Sequence, residues 1–264
     1  MTRAIGLAAL TVLELPHEEQ VRTAAKAGYT HVGLRLVPVA GQPYEYPLDV
    51  ASLERCLADT GIKVLDVEVF RLTPETKVQD WERVLAIAQR LGASDILVHG
   101  ADANPARLVH KFAELCELGG RYMLRANLEP MPWVDVSNTD KALRILRGAA
   151  RANSGLLVDA IHFFRAGDSI EALRKVPREY LHYVQLCDAR AERPTEMQEL
   201  IRQARGDRLL PGEGGLDLRG LLGALPADLP LSLEVPIAEK RPPLERARRA
   251  LEATNAILGA REVR

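Results

Sequence analysis

Tyr122-Met-Leu-Arg-Ala-Asn-Leu-Glu129, followed by Pro130, is the stretch on which the fold turns. Leu124, Ala126 and Leu128 fall on one parity and Arg125, Asn127 and Glu129 on the other. Successive side chains of a β-strand point to opposite faces, so this segment predicts a strand with one greasy and one charged face. The pattern recurs. Residues 31–37 set Val32, Leu34 and Leu36 against His31, Gly33 and Arg35; residues 63–70 set Leu65, Val67 and Val69 against Asp66 and Glu68; residues 231–235 set Leu231, Leu233 and Val235 against Ser232 and Glu234. Further short Val/Ile/Leu-rich runs near 4–10, 95–99, 155–159 and 182–187 bring the candidate strands to eight.

Between these strands lie amphipathic segments with helix signals. Pro16 to Lys26 closes on Gly28, Asp49 to Asp59 on Gly61, Lys77 to Arg90 on Gly92, and Asn104 to Glu117 on Gly119 and Gly120. Glycine just past a helix is the usual left-handed stop. Segments 138–150, 168–174, 195–205, 217–223 and 242–259 read the same way. Strict strand–helix alternation predicts a parallel sheet, and eight units of about 33 residues fit a closed (β/α)8 barrel. No low-complexity linker divides the chain, so residues 1–264 are expected to form one domain. The rival, a doubly wound sheet binding a dinucleotide, would show a glycine fingerprint after its first strand, and none is there. Gly212-Glu-Gly-Gly215 comes late and reads as a turn.

Composition narrows the function. The chain has 264 residues, 47% hydrophobic and 27% charged, with 35 Lys and Arg against 36 Asp and Glu, for a formal charge of -1. That balance gives no global positive field for a phosphate backbone, so no nucleic-acid partner is expected. No run approaches the roughly 18 apolar residues of a membrane span, and Ala4 to Leu13 reads as a first strand rather than a targeting segment. Cys56, Cys116 and Cys187 are an odd number, far apart and without a CxxC pair, which fits a reducing cytoplasm.

If the apolar parity faces the helices, the lumen carries Arg35, Asp66, Glu68, His99, Arg125, Asn127, Glu129, Asp159, Gln185 and Glu234. So many buried polar groups need partners or a cation. Arg35 and Arg125 are expected to satisfy Asp66 and Glu68. Glu129, Asp159, Gln185 and Glu234 lie at or near the carboxyl ends of strands 5 to 8, the rim where barrel active sites are built. Three converging carboxylates predict one divalent metal ion between them. The all-oxygen ligand set favours Mg²⁺ or Mn²⁺, with Co²⁺, Fe²⁺ or Zn²⁺ as alternatives.

With Asn127-Leu-Glu129-Pro130, Asp159-Ala-Ile-His162, Gln185-Leu-Cys-Asp188, Pro211-Gly-Glu-Gly-Gly-Leu-Asp217 and Leu233-Glu234-Val235-Pro236 in that order, the sequence resembles the xylose isomerase-like TIM barrel superfamily. That superfamily includes sugar isomerases and epimerases, inosose and 3-dehydroshikimate dehydratases, and endonuclease IV. The resemblance implies that Glu129, Asp159, Gln185 and Glu234 hold one catalytic metal and that His162 contacts substrate. Gln185 departs from the histidine common among relatives; an amide oxygen is a neutral ligand that moves preference further from zinc, and glutamine here resembles some 3-dehydroshikimate dehydratases. Asp135 is only an approximate stand-in for a second acid found in some ketose epimerases. Six scattered histidines do not supply the several metal sites of endonuclease IV.

The resemblance implies a metal-dependent sugar or sugar phosphate isomerase or epimerase. It would abstract a proton next to a carbonyl through a metal-stabilised enediolate, with Glu129 and Glu234 as bases. If a β-hydroxyl leaves instead, the reaction is a dehydration of a cyclic keto acid or inosose. A ligand-binding barrel without turnover is the third reading. His162 would act as acid, base or electrophile. Arg71 would bind a carboxylate or phosphate, and His99, Trp133 and Phe163 would line the site. Asp188 would orient a ligand or form a loop salt bridge. The expected partner is a small polyhydroxylated carbonyl substrate, with a homodimer expected from barrel habits.

Overall fold

The computed structural model describes residues 3–39, 47–238 and 241–259. Among these, nine parallel strands form one sheet: β1 (Ile5–Leu7), β2 (His31–Arg35), β3 (Lys63–Leu72), β4 (Asp95–Gly100), β5 (Arg125–Glu129), β6 (Ser154–Leu156), β7 (Val158–Asp159), β8 (Val184–Leu186) and β9 (Leu231–Leu233). The order is β6-β5-β4-β3-β2-β1-β9-β8-β7. Its two ends are consecutive in the chain, parted only by Leu157, whose N–H bonds to the Leu128 carbonyl at 3.0 Å. β6 and β7 are therefore halves of one barrel strand, one half paired with β5 and the other with β8. The sheet closes through them as an eight-stranded (β/α)8 barrel.

Ten helices surround it among the described residues: α1 (His17–Ala27), α2 (Val50–Thr60), α3 (Glu82–Arg90), α4 (Pro105–Arg121), α5 (Thr139–Ala149), α6 (Ala160–Ala166), α7 (Ile170–Leu173), α8 (Met197–Gly206), α9 (Leu218–Ala224) and α10 (Pro243–Gly259). α2 starts on Asp49, which accepts from the Ser52 N–H, and stops at Gly61 with φ 71°. α4 runs a turn further than its glycines suggest, through Gly119 and Gly120, and the chain leaves it at Met123 with φ 58°. Glycine inside a helix costs only about 1 kcal/mol, which packing overrides. α6 is a helix that the sequence reading does not anticipate. Asp159, the last residue of β7, caps it by accepting from the His162 N–H at 3.2 Å.

The core lies between barrel and helices, and the alternating parity predicts its inner wall with one correction on β3. The β2–β3 register passes from Val32↔Val64 to Gly33↔Asp66, and the β3–β4 register from Val67↔Ile96 to Phe70↔Val98. These irregularities break the period of two. Val64, Val67, Phe70 and Leu72 join the main core, whereas Leu65 and Val69 cluster separately with Leu97, Leu157 and Tyr183. Leu65 and Val69 thus leave the helix-facing set to which parity assigned them. Gly33 makes the first shift feasible: a Cβ there would stand 2.4 Å from Asp66 Oδ1.

Polar lumen groups are largely paired. Arg35 holds Glu68 at 2.5 Å as expected. Arg125 does not reach Asp66 or Glu68; it grips Asp95 with two hydrogen bonds of 2.9 and 2.5 Å. Asp66 accepts from the Tyr183 hydroxyl at 2.8 Å, and burial followed by the Glu68 charge pushes its carboxyl well above the usual range.

Candidate active site

The carboxyl ends of β5, β7, β8 and β9 bring Glu129, Asp159, Gln185 and Glu234 to one end of the barrel, and all four are buried. Glu129 Oε2 shares a 2.7 Å hydrogen bond with His99 Nε2 from the neighbouring β4. Its Oε1 stands 4.0 Å from His162 Nε2, outside hydrogen-bond range. Candidate ligand atoms of Glu129, Asp159 and His162 lie within 4.8 Å of one another, a grouping that could hold a metal ion. Glu234 and Gln185 form a second group: Gln185 Nε2 donates to Glu234 Oε1 at 3.2 Å.

Arg208 joins the two groups. Its guanidinium is buried, with Nη1 at 2.7 Å from Asp159 Oδ2 and Nη2 at 2.6 Å from Glu234 Oε2. Nε donates to the Ala204 carbonyl at 2.7 Å and Nη1 to the Glu234 carbonyl at 3.1 Å. Sequence reasoning missed this residue, which follows α8 and is 49 positions from Asp159. The only local signal is a second arginine three residues after Arg205, and that reads as an ordinary solvated helix end.

Burial dominates the electrostatics. It drives His99 and His162 down to about 3, so both imidazoles are neutral near pH 7. It pushes Glu129 well above the carboxylate range, reinforced by the Asp159 charge, and pushes Glu234 up against the opposing pull of Arg208. Burial also resists ionisation of Asp159, yet Arg208 and His162 outweigh it and hold that carboxyl below its ordinary value.

Above these residues opens a cavity of about 410 Å³, lined by Arg35, Glu68, Arg71, Trp81, His99, Glu129, Trp133, His162, Arg205, Arg208 and Glu234 among others. Arg71, His99, His162 and Trp133 are thus brought together as expected, and Trp133 meets His162 edge-on at 4.9 Å. Asp159 and Gln185 do not line the cavity and are buried. Phe163 is a correction. It follows His162 on α6, about 100° further round the helix, and packs in the main core, edge-on to Phe164. Asp188 has no salt bridge among the described residues; it accepts from the N–H groups of Ala189, Gly212 and Leu216 and so holds the glycine-rich turn. Asp135 is exposed and lines a separate groove.

Residues 21–257 match the family described as xylose isomerase-like TIM barrel. The chain belongs to that family. Among curated relatives, the 3-dehydroshikimate dehydratase of Pseudomonas aeruginosa is 30% identical over 236 residues, covering 82% of this chain and 36% of that protein. The inosose isomerase of Bacillus subtilis is 29% identical over 119 residues, covering 44% of this chain and 41% of that protein. The chain therefore spans little more than a third of the dehydratase. A solved structure of the IolI protein with a binding zinc atom superposes with a TM-score of 0.80 at 18% identity, covering 97% of this chain and 98% of that one, a likeness of fold.

The residues present fit a divalent cation. Gln185 Oε1 is buried with no hydrogen-bond partner, an acceptor left over beside three buried carboxylates. Arg208 is their one contacting guanidinium among the described residues and engages Asp159 and Glu234 but not Glu129. Oxygen donors of this kind suit a hard ion.

Proposed function

We propose that the chain is a divalent-metal-dependent enzyme that removes a proton from the carbon next to a carbonyl of a small polyhydroxylated substrate. Glu129, Asp159, Gln185 and Glu234 would hold the metal, with Mg²⁺ or Mn²⁺ favoured by their oxygen donors. When bound, the ion would polarise the carbonyl and acidify the adjacent C–H bond. The single observation that carries the reading is the arrangement at Glu129. Glu129 lines the cavity and His99 fixes its Oε2, while Oε1 has no hydrogen bond among the described residues, so one oxygen is oriented and the other is available as a base.

Glu234 is engaged at both oxygens, by Gln185 and Arg208, and serves first to position ligands. His162, neutral and edge-on to Trp133, supplies an N–H to a leaving or migrating oxygen. In a dehydration Glu129 takes the proton, the C–H electron pair forms the new C=C bond, and the β-hydroxyl departs as water with the proton passed on from Glu129, His162 donating its N–H as it receives that proton. In an isomerisation or epimerisation the proton returns to carbon. Trp81 and Trp133 shield the substrate from water.

Dehydration is favoured because the dehydratase resemblance extends over 82% of the chain. The isomerase or epimerase reading is supported by the inosose isomerase resemblance over 44%. A screen of the metal-loaded protein tests both. Dehydration of 3-dehydroshikimate gives an aromatic acid and a new ultraviolet band, whereas inososes and ketoses are followed by chromatography of their isomers. No turnover with Mg²⁺, Mn²⁺, Co²⁺ or Zn²⁺ on any of them would count against the proposal.

A further inference from the structure

The cavity carries more positive charge than its acids use. Arg35 and Arg208 are committed to Glu68 and to Asp159 with Glu234. Arg71 and Arg205 also line the cavity, both are exposed, and neither side chain has a hydrogen-bond or salt-bridge partner among the described residues. They arrive from different elements, Arg71 on β3 and Arg205 in the last turn of α8, and the charges of both are felt at His99. Two guanidinium groups lining one cavity raise its positive potential and so favour an anion there.

Arg71 is held from behind. Thr76 Oγ1 donates to the Arg71 carbonyl at 3.0 Å. Lys111, itself buried, donates from Nζ to the carbonyls of Thr73, Pro74 and Thr76 at 2.8, 2.6 and 2.9 Å. A lysine spent on three backbone oxygens fixes the turn that follows Arg71, so the guanidinium projects from a braced strand end rather than a loose loop.

We infer that Arg71 and Arg205 form an anion clamp at the cavity mouth, and that the substrate carries a carboxylate or phosphate at the end away from the reacting carbon. This rests on the cavity being the reaction site and narrows the substrate class to anionic polyhydroxylated carbonyl compounds. The fork of a guanidinium matches either group with paired hydrogen bonds.

Calorimetric titration of the full chain in Mn²⁺ tests the clamp without turnover. The probes are shikimate and its methyl ester, and ribitol 5-phosphate and ribitol, none of which has the ketone or aldehyde at which the reaction would start. One of the two anions should bind at least tenfold more tightly than its neutral counterpart, and which one does so identifies the anionic group. Arg71→Gln and Arg205→Gln should each weaken that anion roughly ten- to hundredfold and leave the neutral probe unchanged. Arginine-dependent binding with no turnover in the substrate screen would sustain the clamp while removing the proposed chemistry. Binding of neither anion, equal binding of neutral and charged probes, or an undiminished affinity in the double arginine variant would overturn it.

Discussion

Replacing Arg208 with methionine exposes how the charges of the site are balanced. The guanidinium is buried and contacts Asp159 Oδ2 at 2.7 Å and Glu234 Oε2 at 2.6 Å, with further bonds to the Ala204 and Glu234 carbonyls. Methionine keeps the volume and flexibility of the stem but leaves two carboxylates facing each other without a cation. Removing one partner of a buried ion pair costs about 3–5 kcal/mol. The carboxyls limit the loss by taking up protons, since burial already pushes Glu234 upward. At this chain length each kcal/mol lowers the melting temperature by roughly 2–4 °C. The variant should therefore melt roughly 6–20 °C below the wild type in the presence of a chelator. Saturating Mn²⁺ should restore more of its melting temperature than it adds to the wild type, because the ion supplies the positive charge that the variant lacks. Scanning fluorimetry with and without chelator reads both effects. A chelator-treated variant melting within a degree or two of the wild type would refute the argument, as Asp159 and Glu234 would then be balanced by something other than Arg208.

Glu129→Gln keeps the shape of the side chain and its contact with His99 while removing the base. It should cost about 10²–10⁴ in kcat with little change in melting temperature; full activity would move the base elsewhere. Glu234→Gln should also lose turnover and, as at any of the four proposed ligands, bind metal more weakly; near-normal metal affinity there would limit Glu234 to its contact with Arg208. Gln185→His replaces an amide oxygen with an imidazole nitrogen and should shift the metal preference toward Zn²⁺. An unchanged profile of Mn²⁺ against Zn²⁺ affinity would show that Gln185 is not a ligand.

The architecture was legible because most strands keep strict alternation, and β5 displays it over its whole length from Arg125 to Glu129. The rim was legible for the same reason: alternation places Glu129 and Glu234 on the lumen side at strand ends. What escaped depends on pairing between strands or on contacts distant in sequence. β3 keeps its alternating letters but not its alternating faces, because the pairing shifts where Gly33 leaves room for Asp66. Gly33 within a strand pattern is the trace of this in the sequence. α6 was hidden because Asp159 serves as both strand end and helix cap, and the same helix turns Phe163 away from the cavity that His162 lines. Parity pairs Arg125 with the wrong acid because it gives a face and not a height, and Asp95 stands beside it on β4. Arg208 lies beyond the reach of any local pattern, since its partners come from β7 and the end of β9.

If the acids at the carboxyl end of the barrel hold one divalent cation, the stripped protein should take up one ion per chain. Titration of chelator-stripped protein with Mn²⁺, followed by calorimetry, tests it most directly when Asp159→Asn is run beside the wild type. The wild type should bind one ion per chain, and the variant should bind it with an affinity at least tenfold lower. Mn²⁺ binding that is absent from the wild type, or equally strong in both proteins, would contradict it.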